Sequence, residues 1–357
     1  MKIAVVLGTR PEIIKMSPLI RQLENSELEY DMIHTGQHYD EEVSGIFFDQ
    51  LEISRPDKYL GVGSGSQAEQ TGEAMIELER AFQKLDTELV LVEGDTNTVL
   101  AGALAGIKMG LEVGHIEAGL RSYDYRMPEE YNRRLTDHSS NLLFAPTEKS
   151  KEILKGEDIW GDVFVTGNTV IDACIQNMEI AEQKADFDFE LPEKFVLLTA
   201  HRAENVDDPK VQENFIETFE EIRYPMIYPI HPRAEEQFKE HGNLKRLEGV
   251  EGMKLVPPQG YLEFLMLMKR CEFIMTDSGG IQEEATAPNI RKKVFVLRRS
   301  TERPEAVEAG YSTVVGTEKE KILEEVKSFD EENWDPEGCP YGDGNASKKI
   351  VEILEKR

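Results

Sequence analysis

The sequence predicts an α/β protein of two domains, each a doubly wound parallel sheet, and three observations predict it. Short apolar runs of strand length alternate with longer amphipathic segments along the chain, as the strand-helix units of a parallel sheet do. The 357 residues, 39% of them hydrophobic, are enough for two ordinary cores. Polar and charged residues collect just after the apolar runs, where core packing does not account for them and where such folds bind ligands.

The elements follow in order. Met1 to Leu7 begins like a signal peptide, but Gly8-Thr9-Arg10-Pro11-Glu12 interrupts it within one strand length, so it reads as the first strand, near 2–7. Further strands are expected near 30–34, 88–92, 112–116, 141–145 and 162–166. A second series is expected near 195–199, 225–229, 253–256, 271–276 and 293–297. Between the series lie a helix from Asn168 to Lys184 and then the aperiodic, proline-containing stretch 186–193, which marks the domain join. The expected domains are residues 1–167 and 168–344, with a final helix in 345–357 packing back on the first. Their strands' carboxyl ends are expected to face one another around one cleft. No internal repeat is visible, and no run approaches the length of a membrane span.

Composition narrows the partners. Asp and Glu outnumber Lys and Arg by 69 to 41, a net charge of −28 that argues against nucleic acid or an anionic membrane. Cys174, Cys271 and Cys339 are odd in number, far apart and lack CxxC spacing, which suggests neither a disulfide framework nor a zinc site. The expected setting is the cytoplasm, with no metal and no cofactor. Gly8 alone is no GxGxxG, Gly61 to Ser66 follows no clear strand and reads as a mobile loop, and no GxxxxGK[ST] occurs. A nicotinamide site and the usual nucleotide hydrolases are thereby set aside.

Ser278-Gly279-Gly280, between a strand and a helix, offers backbone N–H groups to a phosphate, although an ordinary strand-to-helix turn has the same sequence. Glu283 and Glu284 follow, and acids there either cap amides or hold a ribose diol. Gly94-Asp95-Thr96 and Glu117-Ala118-Gly119-Leu120-Arg121 each put a carboxylate at a strand end. The helix after Pro128 opens with Glu129-Glu130 and carries Arg133 and Arg134. Capping explains any one of these acids. Three converging on one cleft raise one another's pKa and suit proton transfer or a cation. His201-Arg202 and His231-Pro232-Arg233 follow two strands of the second series and suit a diphosphate held without metal.

These motifs occur in order with Thr301-Glu302-Arg303-Pro304-Glu305, and together the chain resembles the UDP-N-acetylglucosamine 2-epimerase family, non-hydrolysing branch, over essentially its full length. The resemblance implies two Rossmann-like domains in the GT-B arrangement, a UDP-sugar substrate and a homodimer. It implies interconversion of UDP-N-acetylglucosamine and UDP-N-acetylmannosamine. It also implies catalytic positions at Asp95, Glu117, Glu129 and His201, with Arg10 and His201 at the diphosphate. Ser278, Gly279 and Gly280 would give backbone and hydroxyl donors, and Glu284 would take the ribose hydroxyls. Lys15 and Arg133 would lie near the sugar or phosphates. Phe264, on the helix before the 271–276 strand, would contact the uracil, although its place among Leu262, Leu265 and Leu267 also suits a core residue.

The chain departs from the pattern of bacterial members, whose second, activating UDP-N-acetylglucosamine site uses a Gln-His pair, an Arg-Gln pair and the second arginine of His-Arg-Arg-Glu. Here Gln37-His38 runs into Tyr39-Asp40-Glu41-Glu42, the second pair reads Ser66-Gln67, and Ala203 replaces the arginine, so activation of that type is not expected. Thr35 to Asp40, with Phe47-Phe48 and Gly61 to Ser66, is also similar to enzymes that epimerise UDP-2,3-diacetamido-2,3-dideoxyglucuronate, the alternative substrate. A hydrolysing epimerase fits Arg10-Pro11-Glu12 less well, and a GT-B glycosyltransferase has less use for three acids.

Overall fold

The computed structural model describes residues 1–37 and 41–357, the side chains of 41–44 apart. The motif Thr35 to Asp40 therefore lies partly outside the described residues. Two compact units divide the chain, Met1–Ala173 with Tyr341–Arg357, and Cys174–Pro340.

The first unit opens with β1 (Lys2–Leu7), α1 (Arg10–Glu24), β2 (Glu29–His34), α2 (Glu41–Gln50) and β3 (Lys58–Tyr59). It continues through α3 (Gln67–Leu85), β4 (Leu89–Glu93), α4 (Asn97–Lys108), β5 (Glu112–Ile116) and α5 (Pro128–His138). Next come β6 (Leu142–Ala145), α6 (Glu148–Gly156), β7 (Asp162–Val165) and α7 (Thr169–Lys184). The second unit has β8 (Val196–Thr199), α8 (Ala203–Val206), α9 (Pro209–Phe219), β9 (Met226–Pro229), α10 (Pro232–Glu240) and α11 (Leu244–Glu248). It ends with β10 (Met253–Val256), α12 (Tyr261–Arg270), β11 (Ile274–Thr276), α13 (Gly279–Glu284), β12 (Val294–Val296), α14 (Pro304–Glu308), β13 (Ser312–Val314) and α15 (Lys319–Ser328). The last helix, α16 (Ala346–Leu354), returns to the first unit and packs on α1.

Every strand pairing is parallel. The order is β3-β2-β1-β4-β5-β6-β7 in the first sheet and β10-β9-β8-β11-β12-β13 in the second. Each is a Rossmann-like sheet with helices on its faces. β1 and β4, and likewise β8 and β11, are neighbours whose crossovers leave in opposite directions, which opens a crevice at their carboxyl ends. Those ends release residues 8–12, 94–96, 200–205 and 277–284.

The central strands bury both faces, as Ile3 to Leu7 and Leu89 to Val92 show, and this is why they read as continuous apolar runs. The division between units falls inside α7, whose first turns are tied to the returning segment. Asp172 accepts hydrogen bonds from the Ala346 and Ser347 amides at 3.2 and 2.9 Å, and the Asn168 amide donates to Tyr341 O at 2.8 Å. Gly61 to Ser66 lies beside β2, with the Val62 amide donating to Thr35 O, and ends in a capping box between Ser66 and Glu69. Among the described residues no helix is long and apolar enough to cross a membrane.

Candidate active site

In the first unit the chain leaves β1 through Gly8, where an added Cβ would stand 2.1 Å from Thr98 Oγ1, so a side chain has no room. Glu12, 2% exposed, turns back to accept hydrogen bonds from the Gly8 amide, Thr9 Oγ1 and Thr96 Oγ1 at 2.6, 2.9 and 2.7 Å. It thereby joins the turn after β1 to the turn after β4. Burial pushes its carboxyl up from 4.5 to about 7, against the downward pull of those hydrogen bonds.

The consequence for stability has a definite sign. Below about 4.5 the carboxyl is protonated folded or unfolded; between there and about 7 only the folded chain keeps the proton, so stability falls as pH rises. Glu12→Gln removes that slope. Denaturant unfolding at pH 5 and pH 8 is expected to show the wild type losing up to about 3 kcal/mol relative to the variant. A constant difference between the two proteins across that range would rule out the assignment.

Asp95 follows β4, and its side chain is 31% exposed. Arg133, from α5, reaches it with Nε at 3.0 Å and a terminal nitrogen at 2.7 Å, and Asn132 Nδ2 donates to the Asp95 carbonyl at 2.9 Å. The preceding residue, Gly94, has φ +88°. Its carbonyl accepts from His115 Nε2 at 2.8 Å, while His115 Nδ1 faces Asp137 at 2.7 Å. Asp137 also takes Arg121 at 2.7 Å. Burial alone would raise the Asp137 carboxyl; His115 and Arg121 hold it below its usual range. The Gly94 carbonyl can only accept, so His115 Nε2 carries a hydrogen and donates to it. A buried chain of hydrogen bonds running through His115 and Asp137 to Arg121 therefore fixes the loop that carries Asp95.

Glu117, just after β5, has φ +70°, a left-handed backbone that is rare outside glycine. Lys15, one turn into α1, pairs with Glu117, and its Nζ lies 3.1 Å from Glu93 Oε1. Arg10, half-buried at the start of α1, lies over the Phe47 ring at 5.5 Å. The paired acids of α5 divide. Glu130 is fully buried and holds Ser122, Arg133 and Arg134, so it is a structural cap. Glu129 is half-buried beside it and makes no ion pair among the described residues. Among the predicted residues the structure thus joins Lys15 to Glu117 and Arg133 to Asp95, and leaves Glu129 apart from both pairs.

In the second unit Asp277, fully buried at the end of β11, accepts from the His201 amide, the Arg202 amide and Asn205 Nδ2 at 2.8, 2.9 and 2.9 Å. The turns after β8 and β11 are therefore one construction. The His201 side chain is 42% exposed, its Nδ1 lies 3.4 Å from Asp277 Oδ1, and its ring stacks on His231 at 5.5 Å. The Ser278 amide is already used, donating to Thr276 Oγ1 at 3.0 Å, so the backbone donor expected at Ser278 is replaced by its hydroxyl alone. Gly279 and Gly280 open α13, where first-turn amides lack intrahelical partners.

A Cβ at Gly279 would stand 2.8 Å from Glu302 Oε1, whereas at Gly280 the nearest atom is 4.0 Å away. Burial would raise Glu302, but Arg303, Arg298 and Arg202 hold it at about 2. Glu283 is buried against Arg303 at 2.8 Å, while Glu284 is half-buried. Phe264 is half-buried on α12, whose Leu262, Leu265 and Leu267 are core. No cluster of His, Cys, Asp or Glu suited to a metal occurs among the described residues.

Sequence reasoning assigned no role to Glu12, Glu93, His115, Asp137 or Asp277. A carboxylate closing an apolar strand, as Glu93 and Asp277 do, was the available signal. His115, inside β5, gave none, because its partners lie 21 and 22 residues away.

Comparison with known proteins agrees with this architecture. Residues 21–355 match the family model described as UDP-N-acetylglucosamine 2-epimerase. A UDP-N-acetylglucosamine 2-epimerase of Methanocaldococcus jannaschii is 46% identical over 366 residues, spanning 99% of each chain. A crystal structure of the Methanocaldococcus jannaschii UDP-GlcNAc 2-epimerase in complex with UDP-GlcNAc and UDP superposes with a TM-score of 0.89 at 45% identity, covering 100% of both chains. A UDP-2,3-diacetamido-2,3-dideoxy-D-glucuronate 2-epimerase of Pseudomonas aeruginosa is 37% identical over 365 residues, covering 100% of both. With the family model spanning most of the chain and a relative this similar along its whole length, the chain belongs to the UDP-N-acetylglucosamine 2-epimerase family.

Proposed function

We propose that this chain is a non-hydrolysing 2-epimerase that interconverts UDP-N-acetylglucosamine and UDP-N-acetylmannosamine. The observation that carries the reading is Glu117, a carboxylate at a left-handed strand-end turn paired with Lys15, in a chain whose similar relatives are named for this reaction. The C2 hydrogen has no adjacent carbonyl to acidify it, so direct deprotonation is costly. Elimination avoids this: the C2–H pair becomes the C1–C2 double bond as the C1–O bond to UDP breaks. The product is UDP and a 2-acetamidoglucal. Re-addition of UDP with protonation of the other face of C2 inverts that centre.

This chemistry needs a base, an acid on the opposite face, and groups that stabilise the departing diphosphate. Asp95, Glu117 and Glu129 of the first unit supply the carboxyl groups. Arg10 and His201, with the Ser278 hydroxyl and the Gly279 and Gly280 amides, hold the diphosphate; Glu284 takes the ribose and Phe264 the uracil. In this reading the first unit performs the sugar chemistry, and the second, together with Arg10, binds the nucleotide.

Incubation with UDP-N-acetylglucosamine in D2O is expected to give deuterium at C2 and UDP-N-acetylmannosamine by NMR. The same assay with UDP-2,3-diacetamido-2,3-dideoxyglucuronate is expected to give far slower exchange. Release of free N-acetylmannosamine would overturn the non-hydrolysing assignment, and absence of C2 exchange would overturn the epimerase reading.

A further inference from the structure

β4 ends in Glu93, a carboxyl group that is 1% exposed and has no part in the chemistry above. The titratable groups facing it are Lys15 and Glu12 from α1 and Glu117 from the turn after β5. Lys15 Nζ lies 3.1 Å from Glu93 Oε1 and pairs also with Glu117. The Glu93 and Glu117 carboxyl groups, both buried, therefore share one ammonium.

Charge sets how many protons the three groups hold. One ammonium compensates one carboxylate, and a second buried anion beside it would be left without a counter-charge, a situation that buried groups relieve by taking up a proton. Glu93 is the more deeply buried, and burial pushes its carboxyl well above the usual range, with the neighbouring Glu117 adding to the rise against Lys15. Glu117 is the closer partner of Lys15 and keeps the charge.

We propose that Glu93 is a positioning residue for the epimerisation: a carboxylic acid that donates its hydrogen bond to Glu117 and, with Lys15, holds Glu117 as an ionised carboxylate. The proposal rests on the reading that Glu117 acts on C2. In the forward step Glu117 takes the C2 proton, the C–H pair forms the C1–C2 double bond and UDP leaves with the C1–O pair; Glu93 keeps its own proton throughout. A hydrogen bond donated to the anion lowers its proton affinity, so Glu117 stays ionised at neutral pH despite burial. When Glu93 ionises at higher pH, a second anion faces Glu117 and competes for Lys15. Proton affinity at Glu117 then rises, the Lys15 contact is shared, and turnover declines.

Glu93→Gln and Glu93→Leu test this. The carboxamide still donates to Glu117 but cannot ionise. Its kcat for C2 exchange is expected to fall by no more than about tenfold at neutral pH, with KM nearly unchanged, and to lack the wild type's alkaline decline. Leucine gives Glu117 no donor, so its acid limb is expected to move upward in pH. Independently of turnover, infrared spectra recorded above the titration of Glu12 are expected to show a protonated-carboxyl C=O band in the wild type that is missing in Glu93→Gln. Parallel pH profiles for the wild type and Glu93→Gln, or a band that survives the substitution, would overturn the proposal. A wild type inert toward UDP-N-acetylglucosamine would instead overturn the functional reading, and the infrared band distinguishes the two failures.

Discussion

Replacing Glu117 by glutamine is expected to lower kcat for C2 exchange by about a thousandfold, the usual scale for losing a general acid or base, while UDP affinity changes only a few-fold. The substitution keeps the side chain's length and leaves the left-handed backbone at φ +70° equally strained in both proteins. What it removes is the group that accepts a proton. Lys15 is not stranded, because Glu93 lies 3.1 Å from its Nζ and takes over as its counter-ion by giving up its proton. The fold should therefore survive, with a melting temperature near that of the wild type. Single-turnover C2 exchange, UDP titration and thermal unfolding separate these effects. A variant that retains a tenth or more of wild-type exchange would remove Glu117 from the chemistry.

The strands of both sheets were legible because the central ones bury both faces, and such strands are apolar without a break. β3, with two residues, and β13, with three, were not, since they exist by pairing with β2 and β12 and carry no period of their own. The sequence starts β11 at 271 because Cys271 and Phe273 flank a single charged residue, Glu272, next to the apolar Ile274 and Met275, yet Cys271 caps α12 and the pairing begins at Ile274.

The site was legible one strand end at a time, through polar residues that have no place in a core. Its pairings were not. Lys15 and Glu117 are 102 positions apart, and Arg133 and Asp95 are 38 apart, so only the sheet order and the crossing of α1 and α5 over it bring them together. Neighbours also parted company for reasons invisible in sequence. Glu129 and Glu130 are chemically alike, but helix phase turns one toward Ser122 and the arginines and leaves the other half-exposed. Glu283 and Glu284 divide in the same way, one against Arg303 and the other at the surface of α13.

Asp277→Ala is expected to weaken UDP binding by about a hundredfold and to destabilise the protein by about 3 kcal/mol, because three donors lose one buried acceptor. The His201 amide, the Arg202 amide and Asn205 Nδ2 all converge on Asp277 Oδ2 within 2.9 Å. A buried donor left without a partner costs about 1–3 kcal/mol, and a water entering the space left by the carboxylate recovers part of the total. Asn205 keeps its second bond, to Leu297 O at 2.9 Å, so the damage concentrates on the His201-Arg202 turn and hence on the groups assigned to the diphosphate. Asp277→Asn is the control: its amide oxygen can replace Oδ2 for the three donors while its NH2 faces His201 Nδ1, so the loss should fall between those of the wild type and alanine. Calorimetric titration with UDP and denaturant unfolding measure both effects. If alanine binds UDP as the wild type does, the turns after β8 and β11 do not form the nucleotide's diphosphate site, whatever the substitution does to stability.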